Sequence, residues 1–119
     1  MSNPIQAIQI TSDKQTNELT VSEYQDYNDA VEGWIEAVDL PRIDAVMWVN
    51  EEFLLIFGAE RFNSIASDVC GLGGRPDLML HGVLGNVLVT GPTDGAGEST
   101  DITDKARRAI ERVAREARL

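Results

Sequence analysis

The stretch GNVLVTGPTDGAGESTDITDKARRAIER, Gly85 to Arg112, passes from a short apolar segment through glycines into a helix. Strand, glycines and helix in that order make a phosphate-binding loop. The details do not fit one. A Walker loop needs G-x-x-x-x-G-K-[ST], because backbone N–H groups ring the phosphates while a lysine reaches the outer ones. The segment GPTDGAGEST has neither that spacing nor a basic residue before Lys105, and it puts Asp94, Glu98 and Asp101 where phosphate charge would sit. The dinucleotide pattern fails as well, since Thr100 stands where G-x-G-x-x-G, begun at Gly95, needs its third glycine. An EF-hand begun at Asp94 would place Ala96 at its third position and Ser99 at its sixth, where a ligand and a glycine are required. The loop therefore reads as structural: Gly95 and Gly97 give backbone freedom, and Glu98 or Asp101 complements the dipole of the helix that follows. No cofactor and no metal site is expected.

Around this loop the chain reads as one α+β domain over residues 1–119, with a small mixed, mainly antiparallel sheet of about five strands and two or three helices. Val87 to Thr90 is the last strand. Asp101 or Thr103 caps an amphipathic C-terminal helix, 103–119, striped by Ile102, Ala106, Ile110, Val113 and Ala117. Upstream, IQAIQI (Ile5 to Ile10) and ELTVS form a strand pair around the turn TSDKQTN. Ser22 with Gln25 three residues on reads as a capping box opening a helix over 23–32. Tyr24, Tyr27, Ala30, Val31 and Trp34 fall on one face of it, Asp26, Asp29 and Glu32 on the other, and Gly33 is placed to end it in a left-handed conformation. WIEAVDL is a strand closed by Pro41. AVMWVNEEFLLIF (Ala45 to Phe57) reads as a hairpin turning at Asn50, Glu51 and Glu52, apolar on both sides and so central or held against a partner. A short helix over Ser64 to Gly71 follows, and GLGGRPD is a turn.

Composition sets the outer bounds. The 119 residues fit one domain, and two would be starved of core. No apolar run approaches the roughly 18 to 20 residues that span a bilayer, and the N-terminus lacks the features of a signal peptide, so a cytoplasmic protein is expected. Cys70 is the single cysteine, which rules out an internal disulfide. Residues 1–103 hold 17 acidic and four basic side chains, whereas 104–119 hold three and six, giving a net charge of -10. An acidic body repels nucleic-acid backbones and membrane surfaces and favours basic partners.

Catalytic candidates are sparse. His81 is the sole imidazole and has no Ser or Cys motif beside it, Cys70 lies in an apolar run, and Arg75 stands by itself in its turn. No enzymatic activity is expected.

GWIEAVDL, MWVNEEF, NSIA (Asn63 to Ala66) and above all GNVLVTGPTDGAGESTDIT together resemble domain of unknown function family 3846. The resemblance runs over most of residues 34–104. It implies an accessory role in bacteriophages, plasmids and actinobacterial genomes, in the host cytoplasm where the gene is phage-borne, and carries over no catalytic residue. Three functions are consistent with the chain. The first is a non-enzymatic accessory protein that binds a host protein. Its special case is a nucleic-acid mimic inhibiting a DNA-binding or defence protein, with Asp26, Asp29 and Glu32 standing in for phosphates, while the basic tail either docks on the protein's own acidic surface or presents Arg107, Arg108 and Arg112 to another one. The second is a self-associating structural protein, with a homodimer as its simplest form. An enzyme using carboxylates or a weakly held metal is the third.

Overall fold

The computed structural model describes residues 3–118. Strand β1 (Ile5–Ile10) turns through Thr11 to Gln15 into β2 (Thr16–Val21), and helix α1 (Tyr24–Val31) leads to β3 (Ile35–Leu40). A 3-10 turn at Pro41–Ile43 joins β3 to β4 (Ala45–Asn50). Four helices frame the remaining strand: α2 (Phe53–Ile56), α3 (Ser64–Leu72) and α4 (Pro76–His81) precede β5 (Val87–Thr90), and α5 (Asp104–Ala117) follows it. The strands form one sheet in the order β2-β1-β5-β4-β3, and every neighbouring pair is antiparallel. The expected sheet of about five strands is present; its mixed character is not, because no parallel pair occurs among the described strands. The short helices α2 and α4 raise the helix number above expectation.

Strand periodicity sorts the core into two faces. Ile8, Ile10, Val38, Leu40, Met47, Val49, Val87 and Val89 point to the side covered by α3 and α5, where they meet Ile65, Val69, Ala106, Ile110 and Val113. Ile5, Ala7, Val21 and Leu88 point to the other side, under Ala30 and Val31 of α1. β5 is buried at all four positions because it lies at the centre of a three-layer sandwich. Burying each of its valines contributes about 1.5–3 kcal/mol.

β5 pairs with β1 only as far as Ile8. Beyond that point the chain returning from the glycine loop takes its place: the Gln6 N–H donates to the Asp101 carboxylate at 2.9 Å, and the Ile102 N–H donates to the Gln6 carbonyl at 2.8 Å. This return passes so close to Gly91 that a Cβ there would overlap the Asp101 carbonyl oxygen. Only glycine fits.

Four local expectations are corrected. Helix α1 is not opened by a Ser22–Gln25 box: Glu23 is the N-cap residue and Asp26 reaches back to it, while Gln25 donates to Asp29 at 2.7 Å. It is ended by Glu32, which adopts the left-handed conformation (φ 64°), and not by Gly33. Tyr24 and Trp34 are exposed and outside its buried stripe. The hairpin expected within 45–57 is a strand followed by a helix. Asn50, 2% exposed, is the reason: its side chain donates to the carbonyls of Val31 and Glu32 at 3.2 Å and accepts from the Glu52 N–H at 2.8 Å. This side-chain-closed turn redirects the chain off the sheet. The hairpin partner of β4 is β3 instead, with Ile35 opposite Asn50 and Leu40 opposite Ala45.

No helix among the described residues is long and apolar enough to cross a membrane.

Candidate functional site

The glycine loop is closed on itself. The Asp94 carboxylate accepts from the N–H groups of Ala96 and Glu98, each at 2.9 Å, and the Gly97 N–H donates to the Asp94 carbonyl at 3.0 Å. Amides that a phosphate loop would turn toward its ligand are filled here by the protein's own carboxylate. Of the two loop glycines expected to give backbone freedom, Gly97 has a positive φ (82°) and Gly95 does not. Thr103, not Asp101, caps α5, accepting from the Ala106 N–H at 3.1 Å. A cleft of about 390 Å³ lies between this loop and α1, with Tyr24, Tyr27 and Trp48 in its wall and no Lys or Arg among its lining residues. Tyr27 and Trp48 meet edge to face at 5.4 Å, and the Trp48 indole N–H donates to Thr90 at 3.0 Å, so the aromatic wall is fixed.

The acidic face of α1 is largely committed to the fold. Asp26 accepts from the N–H groups of Ser22 and Glu23 at 2.9 and 3.0 Å, and these bonds, Glu23's foremost, hold its carboxyl below the ordinary carboxylate range. Glu32 is ion-paired with Arg61, whose guanidinium also lies 4.5 Å over the Phe57 ring. Asp29 is exposed. Arg108 and Arg112 sit on α5, across the sheet from α1, so the two sets of expected partner-binding residues are not brought together. Arg112 is exposed and pairs with Glu116 at 3.5 Å. Other basic residues of the tail dock on the protein itself: Arg107 pairs with Glu18 of β2, and Arg118 donates to the Lys14 carbonyl at 3.0 Å.

The catalytic candidates lie in different surroundings. Cys70 is buried, and loss of solvation pushes its thiol up to about 12, while His81 is exposed at the end of α4. Arg75 is engaged by Asp77 at 2.9 Å. Among the described residues no group of three His, Cys, Asp or Glu side chains is placed to hold a metal ion.

The most open apolar surface lies elsewhere, within the 45–57 segment that the sequence reading took for a hairpin, central or held against a partner. Leu54, Leu55 and Ile56 of α2 are 73%, 82% and 55% exposed. They flank a groove of about 470 Å³ whose wall includes Val38, Val49, Phe53, Leu78 and Val83 and whose rim carries Glu36, Glu51 and Glu52. β3 borders this groove as the last strand of the sheet. The signal was in the sequence: FLLI was apolar on every side, which an isolated helical turn leaves in solvent.

Residues 5–114 match the family described as Domain of unknown function (DUF3846). No curated protein and no solved structure matches the chain. The family match covers most of the chain and includes the glycine loop, the NSIA segment and all five strands, and the chain belongs to this family.

Proposed function

We propose that this is a small acidic accessory protein of phage or mobile-element type, without catalysis of its own, that acts in the host cytoplasm by binding a host protein. The observation that carries the reading is the exposed Leu54, Leu55 and Ile56 strip beside an apolar groove and an open sheet edge. Leaving three large aliphatic side chains together in water costs solubility unless a partner covers them. Their setting in a body of net charge -10 supports a basic partner, drawn in by long-range attraction. The mimic form of this reading has less support, because two of its three phosphate stand-ins, Asp26 and Glu32, are held by the protein's own N–H groups and Arg61.

Affinity capture from host lysate with the wild type and with a Leu54→Glu/Leu55→Glu variant tests it. Both side chains are solvent-exposed, so the variant keeps its fold. The reading expects a host protein retained by the wild type and lost by the variant. Equal recovery by both proteins, or recovery of no host protein, contradicts it.

A further inference from the structure

The open edge of β3 has a defined chemistry. The Glu51 N–H donates to the Trp34 carbonyl at 2.9 Å, and the register pairs Ile35 with Asn50. In an antiparallel ladder the residues that exchange hydrogen bonds alternate with those that do not. Residues 34, 36, 38 and 40 therefore turn their backbone groups toward β4, and Ile35, Ala37 and Asp39 turn theirs out of the sheet. Those outward groups have no strand beyond them. The side of the sheet toward which Glu36 and Val38 point is the side on which the groove opens, between β3, α2 and α4.

We infer that β3 and this groove accept a basic, extended segment of the partner protein as a sixth strand. The inference rests on the protein-binding reading above and names its mode. A strand laid along β3 pairs with the outward N–H and C=O groups of Ile35, Ala37 and Asp39, and alternate side chains of it enter the groove against Val38, Phe53 and Leu78. The carboxylates around the site, Glu36, Asp39, Glu51 and Glu52, select Lys or Arg at the flanking positions, because Arg75, the cation lining the groove, is engaged by Asp77. The same carboxylates disfavour a second copy of this chain. In antiparallel self-pairing centred on Ala37, which keeps outward-turned residues opposite one another, Glu36 of each copy becomes the diagonal neighbour of Glu36 of the other on the groove face, and like charges that close repel.

The probe is an acetylated, amidated nonapeptide of alternating Lys and Val, titrated into the full chain with binding followed by amide chemical shifts. Three comparisons accompany it: the same peptide N-methylated at alternate residues, an analogue with Glu for Lys, and the Ala37→Pro variant. Proline at 37 removes an outward N–H and leaves the bonds to β4 in place. The expected result is shifts centred on residues 35–39 and 53–55, with affinity at least tenfold weaker for the methylated peptide, for the Glu analogue and for Ala37→Pro. Peptide methylation needs no change in the protein, so the test holds even if Ala37→Pro misfolds. Equal affinity after methylation, shifts elsewhere on the surface, no binding, or dimerisation through β3 would each overturn the strand mode. A partner captured by the wild type and lost by Leu54→Glu/Leu55→Glu would still stand in those cases, which separates failure of the mode from failure of the protein-binding reading.

Discussion

Asn63 joins three segments. Fully buried, it donates from Nδ2 to the carbonyls of Ile10 and Gly85 at 3.0 and 2.8 Å, and its Oδ1 accepts from the Ala66 N–H at 3.0 Å as the N-cap of α3. Asn63→Ala leaves these buried groups without partners and should lower stability by about 3 kcal/mol in urea denaturation. Asn63→Asp keeps the cap acceptor but loses both donations, so it too should destabilise; a variant as stable as wild type would refute the bridging role. Asp26 gives a prediction with a pH sign. Its folded-state pKa lies below the ordinary Asp value, so its contribution is fully present above about pH 4 and is lost as pH falls through the lowered value. Asp26→Ala should therefore lower the Tm at pH 7, and the gap from wild type should close on acidification. A pH-independent gap would show that the carboxylate's charge plays no part. The sequence displayed Asn63 within NSIA without showing its task, because two of its three partners lie 53 and 22 residues away.

At the scale of elements, local pattern was enough where a short apolar run or an apolar stripe marked a buried strand or helix face. Val87–Thr90, Ile5–Ile10 and the stripe of α5 are regular in sequence and sit where that regularity places them. It failed at 53–56, where apolar residues face water and a strand-like composition hides a helical turn. It failed again at α4, which begins at Pro76, inside the stretch GLGGRPD that read as a turn. The glycine loop was legible for a chemical reason, since its acids exclude phosphate whatever its shape. Millimolar ATP or GTP should accordingly leave the Tm unchanged. A rise of several degrees, abolished by Gly97→Val, would contradict the closed loop in which Asp94 occupies the amides.

The whole molecule is a sheet covered on both faces and open at its β3 edge. Its strand order was not legible, because β5 enters between β1 and β4 only through pairings that span most of the chain. The binding surface was hidden for the same reason: Val38, Phe53, Leu78 and Val83 form one groove only after that order brings them together. Acidity, plain in the sequence, pointed to α1, where two of the three carboxylates serve the fold, whereas the carboxylates beside the open edge are Glu36, Asp39, Glu51 and Glu52. The central claim is that this edge and its groove are where another protein binds. Amide hydrogen exchange, measured on the free protein and on its complex with the captured host partner, tests it most directly. The account predicts fast exchange at Ala37 and Asp39 in the free protein, beside slow exchange at Met47 and Val89, and strong protection of Ala37 and Asp39 in the complex. Protection confined to α1 or α5, with Ala37 and Asp39 unchanged by the partner, would contradict it.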